Sequence, residues 1–168
     1  MIHKAAASPS DASSQPGQGP QLIVFGTVMG LDYDNPTDAA YRIMKIDKTF
    51  VGDGSGADAS FHVHWTKSGD ADESGNTIRW RLSYTLFDGS SDDIVVAPTV
   101  VDFDDTYVDA GTTSKIVYRT PSVPATGLVP NYYMGIKLEY VPANTTLTST
   151  PVCVSCDLLF RNRINLAG

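Results

Sequence analysis

A chain of 168 residues, 42% hydrophobic and 18% charged, has room for one domain plus a tail. A folded part of about 150 residues can bury a working core without help from a metal or disulfide. Twelve basic against 19 acidic residues leave a net charge of −7, the wrong sign for a general affinity for nucleic acid or an anionic membrane. The first twenty residues hold no apolar run of signal-peptide type, and no stretch approaches the length of a membrane span. The expected setting is therefore a cytoplasm, or release by lysis.

Residues 1–20 read as an N-terminal arm. Fifteen of the twenty are Ala, Ser, Pro, Gln or Gly, and Ile2 is the one large aliphatic. Such a segment buries too little apolar surface to offset its ordering entropy alone. It is either a disordered tail or a strap that orders on a neighbouring subunit. Residues 21–168 form the domain.

From Gln21 onward the hydrophobic period is two. Strands are expected at Leu22 to Val28 and Tyr41 to Val51, and a short one carries Phe61, Val63 and Trp65. The clearest runs from Ile78 to Leu86, with Ile78, Trp80, Leu82, Tyr84 and Leu86 on one face and Arg79, Arg81, Ser83 and Thr85 on the other. That is the pattern of a sheet with one dry and one wet face. Further strands are expected at Ile94 to Phe103 and Lys115 to Thr120. Tyr132, Met134, Ile136, Leu138 and Tyr140 repeat the alternation, as do Val152, Val154, Cys156, Leu158 and Phe160. Breaker-rich turns lie at Gly52 to Gly56, Lys67 to Asn76 and Asp88 to Asp93. Asn35-Pro36-Thr37-Asp38 is expected to cap one short helical turn, with Pro at its first position. About eight strands without crossover helices predict an all-β fold: an antiparallel β-sandwich, with a jelly roll the leading topology.

His62 and His64 are the sharpest chemical candidates. Two residues apart on a strand, both imidazoles leave one face, opposite Phe61, Val63 and Trp65, and such a pair can bind zinc, iron or manganese. Gly56, five residues, then His62-x-His64 resembles the opening motif of the cupins. The rest of that motif is missing. Ser68 and Gly69 stand where a carboxylate is needed, and the one other histidine, His3, lies in the arm. The pair is thus a weak metal candidate, and the plainer expectation is polar side chains on a solvent or intersubunit face.

Seven aspartates (88, 92, 93, 102, 104, 105 and 109) occur between Asp88 and Asp109 with no basic residue among them. They are a weak calcium candidate, without EF-hand spacing, or else a solvated acidic loop facing a basic partner. Cys153 and Cys156 are expected as reduced, partly buried thiols that regular alternation sends to opposite faces. No G-x-S-x-G elbow or phosphate loop occurs, and two scattered aspartates acting as in a glycosidase could not be singled out. No catalytic residue and no cofactor is therefore assigned. Trp65, Trp80, Tyr84, Tyr132 and Tyr140 fall in the core phase, while Tyr33, Tyr107, Tyr118 and Tyr133 are freer and leave a glycan-binding role open.

Phe61-His62-Val63-His64-Trp65, a polar turn, then Arg79-Trp80-Arg81-Leu82-Ser83-Tyr84 resembles a pairing in small virion proteins of tailed bacteriophages. There an H-x-H-W strand precedes a W-x-L-x-Y strand. The resemblance covers mainly Phe61 to Leu86. It implies a non-enzymatic structural part of a phage particle, such as a capsid decoration, head fibre, collar or tail-associated protein. It implies assembly in a bacterial host cytoplasm as a homo-oligomer, trimers especially, with other virion proteins as partners. A glycan- or cell-surface-binding module is the alternative.

Overall fold

The structure, a computed structural model, describes residues 19–25, 27–48, 59–69, 72–88, 90, 97–108, 117–119, 122–123 and 128–160. Most of the expected arm (residues 1–18), the turn at 52–56, and Asp92, Asp93 and Asp109 lie outside them. So does the start of the strand expected at 94–103.

Strict alternation builds the first sheet. In β5 (Thr77–Phe87), Ile78, Trp80, Leu82 and Tyr84 are buried, while Arg79, Arg81 and Ser83 between them keep partial contact with water. This strand pairs antiparallel with β6 (Thr99–Thr106) on one side and β9 (Tyr133–Tyr140) on the other. β3 (Ala39–Lys45) closes the row, giving the order β3-β9-β5-β6. On the outer face Arg79 donates from Nε and Nη2 to Asp104 at 2.6 and 2.8 Å, and Arg81 does the same to Asp102 at 2.8 Å each. Lys137 pairs with Glu139 beside them.

The second sheet is centred on β4 (Ala59–Lys67) and β10 (Pro151–Phe160), which run antiparallel. β7 (Val117–Arg119) and β8 (Ser122–Val123) both pair with β4. On the other side β2 (Val28–Asp32) pairs with β10 and carries β1 (Gln21–Phe25), so the order is β1-β2-β10-β4-β7. The chain is thus an all-β sandwich of two antiparallel sheets. The single strand expected at Leu22 to Val28 is a hairpin instead, because the chain reverses between Phe25 and Val28.

The two sheets meet through aromatic rings. Trp65 of β4 lies edge-on to Trp80 of β5 with centroids 6.2 Å apart, and Tyr33 meets Trp80 the same way at 5.4 Å. Tyr107 packs against Trp65 at 5.8 Å. Such pairs add about 0.5–1.5 kcal/mol each beyond the area they bury. Tyr33 and Tyr107, expected to be freer, are both fully buried. Each directly follows a strand end and keeps the core phase of its strand, Tyr33 two residues after the buried Leu31 and Tyr107 four after the buried Phe103. Where polar tips occur in this core, two reach acceptors: Trp65 Nε1 donates to Asp105 Oδ2 at 2.8 Å, and the Tyr33 hydroxyl donates to the Leu138 carbonyl at 3.3 Å.

A β-bulge between Cys153 and Ser155 changes the parity of β10. Cys153 faces Trp65, and after one inserted residue Cys156 faces Val63. Both partners point into the core, so both thiols do too, against the expectation of opposite faces. For the same reason Val152, expected in line with Cys156, lies on the other face, opposite Thr66.

The expected helical turn at Asn35–Asp38 is a β-turn. The Asp38 N–H donates to the Asn35 carbonyl at 2.9 Å, and Asn35 Oδ1 accepts from the Thr37 N–H at 3.1 Å. Pro36 occupies the position where its fixed φ suits such a turn.

Trp65→Ala is expected to cost about 3–5 kcal/mol, since it empties the centre of the inter-sheet contact and leaves Asp105 without its donor. A urea denaturation midpoint compared with wild type measures this.

Candidate functional site

His62 and His64 both leave the outer face of the β4–β10 sheet and are half-buried. Asp157 lies opposite His62 in register and Ser155 opposite His64, and the Ser60 hydroxyl oxygen is 3.1 Å from His62 Nε2. Burial lowers the His62 pKa below its ordinary value and the neighbouring His64 lowers it further, with Asp157 acting the other way. Among the described residues, no three His, Cys, Asp or Glu side chains converge as ligands of one metal ion. The pair has the chemistry of a hydrogen-bonded polar strip between strands.

The acidic stretch is divided between two jobs. Asp102 and Asp104 are held by the guanidinium forks of Arg81 and Arg79, and Asp105 accepts the Trp65 indole N–H. Hydrogen bonding to Arg81 holds the Asp102 carboxyl below its usual range. These carboxylates serve the strand pairing. The basic partners of Asp102 and Asp104 are supplied by β5, so this part of the acidic run is balanced across the sheet.

The thiols are placed for packing. Burial pushes the Cys153 thiol up to about 12, and burial together with Cys153 raises Cys156 well above its ordinary value. A thiolate is disfavoured at both, and so is nucleophilic chemistry. Arg42 reaches across from β3 and donates through Nη1 to the Cys156 carbonyl at 2.8 Å.

Two charged side chains missed by periodicity are buried at one end of the sandwich. Glu73, 4% exposed, precedes β5. Its Oε1 accepts from the Ser149 N–H and hydroxyl at 2.8 Å each and from the Thr148 hydroxyl, while Oε2 accepts from the Thr148 N–H at 3.3 Å. Burial pushes this carboxyl up, but the four donors outweigh it and leave its pKa below the ordinary value. Lys67 donates to the Gly69 carbonyl at 2.9 Å and lies over the Tyr107 ring, 5.4 Å from its centroid. Glu73 thus ties the loop before β5 to the loop before β10. A cleft of about 150 Å³ opens beside this knot, between Tyr140, Pro142, Leu147 and Pro151. The serine and threonine hydroxyls on its wall are already engaged: Thr145 with the Val141 carbonyl, Thr148 and Ser149 with Glu73, and Thr150 with Asp32.

A different kind of site lies on the β1–β2 hairpin. Five residue pairs join its strands, but only Leu31 and Asp32 pair onward to β10. Leu22 lies opposite Leu31 and Val24 opposite Met29, so all four side chains point to the core side of the sheet. Leu31 is buried, yet Leu22, Val24 and Met29 are 62%, 59% and 48% exposed. In the other sheet β3 is an end strand. Gly30 sits where the ribbon touches the sandwich: a Cβ there would lie 2.5 Å from Val152 Cγ1. No known family model matches the chain, and no curated protein matches it.

Two outcomes follow for the ionisable groups. Glu73→Ala is expected to cost about 2–3 kcal/mol, with the acid limb of the stability profile flattened. In the wild type the Glu73 contribution is full above the unfolded value near 4.5 and is lost as pH falls through the lower folded value. For His62 the unfolded chain takes up its proton near pH 6.5, and the folded chain only at lower pH. Stability therefore falls as pH drops through that window, and His62→Gln is expected to remove this part of the slope. Chemical denaturation at a series of pH values reads both.

Proposed function

We propose that this protein is a non-enzymatic structural component of a tailed-bacteriophage particle. In this reading it assembles as a homo-oligomer and joins other virion proteins at the capsid, collar or tail. The observation that carries the assembly half is the hairpin with Leu22, Val24 and Met29 exposed on its core-side face. A two-stranded ribbon is marginal in water by itself, and apolar side chains on its inward face gain most from being covered. The segment from Gly19 to Leu31 has no charged residue in a chain of net charge −7, so two copies can approach there with little repulsion.

The phage half rests on the resemblance of Phe61–Trp65 and Arg79–Tyr84 to strands of small virion proteins. The strand order β2-β10-β4-β7 against β3-β9-β5-β6 supports a jelly roll, a topology frequent in capsid domains. In this proposal residues 1–20 lace onto a neighbouring subunit, and the virion is built in the bacterial host cytoplasm.

A second reading, a glycan- or cell-surface-binding module, is favoured by one feature. Tyr41 is exposed on the outer face of the β3-β9-β5-β6 sheet, the face that also carries Tyr133 and Phe87, which stack at 5.6 Å. Binding on a glycan array that is lost in Tyr41→Ala would favour it.

Sedimentation of the full chain is expected to show a stable oligomer, trimeric or larger. Leu22→Asp with Val24→Asp is expected to shift it to monomer, with a lower unfolding midpoint that no longer depends on protein concentration. Mass spectrometry of purified particles should detect the protein at stoichiometric abundance. A monomeric wild type, or absence from the particles, contradicts the proposal.

A further inference from the structure

The turn between β2 and β3 gathers three carboxylates within seven residues: Asp32, Asp34 and Asp38. Two of them have visible occupations. Asp32 Oδ1 accepts the Thr150 hydroxyl at 2.6 Å, and Asp34 Oδ2 accepts the Gln21 amide at 3.0 Å. Asp38 differs. It is 1% exposed; its Oδ2 accepts the Asn35 N–H at 3.0 Å, and its Oδ1 has no hydrogen-bond partner among the described residues.

A buried carboxylate oxygen without a donor costs several kcal/mol, which natural folds rarely leave uncompensated. The four ion pairs among the described residues use Arg42, Arg79, Arg81 and Lys137, and none reaches this turn. The charged groups that act on Asp38 among the described residues are both acidic, Asp34 and Asp32. Burial of Asp38 raises its pKa, and contact with the Asp34 carboxyl, with Asp32 nearby, raises it further against the Asn35 N–H. Tyr140 is likewise shifted up by burial and then by Asp38 and Asp34. Among the described residues no cation balances these two carboxyls; a shared proton or a bound cation would do so.

We propose that Asp34 and Asp38 bind a hard divalent cation of the calcium class at the β2–β3 turn. Carboxylate oxygens are the ligands such an ion prefers, and main-chain carbonyls and water fill its flexible coordination sphere. Two protein carboxylates are fewer than a dedicated centre uses, which sets the affinity in the weak range of about 10⁻⁴ to 10⁻³ M. Asp32, committed to Thr150, adds charge from the neighbouring strand. The ion would clamp the base of the β1–β2 hairpin, since Gln21 of β1 already holds Asp34.

The test uses the full-length protein with calcium and terbium as probes. Moving from chelator to about 5 mM calcium is expected to raise Tm by about 3 °C, with a smaller rise in magnesium. Terbium is expected to give saturable luminescence sensitised by Tyr140 and Tyr33, displaced by calcium. Both responses should disappear in Asp38→Asn and in Asp34→Asn, and persist in Glu139→Gln on the far face. Asparagine keeps the shape, so a folded variant without the calcium response is the supporting result. No response in wild type, or an equal response in Asp38→Asn, overturns the site. A carboxyl carbon resonance showing Asp38 still protonated at neutral pH in millimolar calcium also overturns it and assigns the balance to a proton.

Discussion

The edge-to-face contact between Trp65 and Trp80 is the constraint on which the rest of the sandwich depends. Two stacked sheets sit about 10 Å apart, a gap that two small side chains cannot fill. One indole from β4 and one from β5 span it, and Tyr33 and Tyr107 brace them from two strand ends. Long rings carry polar atoms, so the arrangement also requires acceptors at its rim. Asp105 and the Leu138 carbonyl supply two of them. The Trp80 indole N–H has no partner among the described residues, a local cost accepted at the best-packed point of the molecule.

The strands were legible where one face is wet. Arg79, Arg81, Lys137 and Glu139 mark the solvent side of β5 and β9 so plainly that the opposite face could only be core. Legibility failed where geometry breaks the period. A single inserted residue in β10 turned Cys153 and Cys156 to the same side, and no local composition announces it. The hairpin reversal after Phe25 was missed because Gly26 and Thr27 are only two residues between apolar runs on either side. Tyr33 and Tyr107 were misjudged because the strands expected at Leu22 to Val28 and Ile94 to Phe103 stop short of them, while β2 and β6 run on to Asp32 and Thr106 and carry the core phase to both rings.

The candidate sites show the same division. Side-chain direction for His62 and His64 followed from strand parity alone. The fate of the acidic run did not, since its guanidinium partners come from a neighbouring strand more than twenty residues earlier. Asp32, Asp34 and Asp38 are fewer, and none of them forms an ion pair among the described residues. Glu73 was unreadable for a related reason. Its ligands are main-chain and hydroxyl groups of Thr148 and Ser149, which any loop sequence of this type contains.

The outer face of β5 and β6 holds one more consequence. An antiparallel pair can slide by two residues and keep every side chain on its proper face, so hydrophobic burial is a poor judge of that error. Here a slide of two in one direction brings Arg81 against Asp104 and leaves Arg79 facing Thr106 and Asp102 facing Ser83. A slide the other way brings Arg79 against Asp102 and sets Arg81 opposite Val100 and Asp104 opposite Thr77. Either slip keeps one fork and strands the other. Exposed ion pairs add little to the depth of the folded state. Two of them spaced along a strand act instead as a vernier, choosing among alignments that the core alone would score nearly alike.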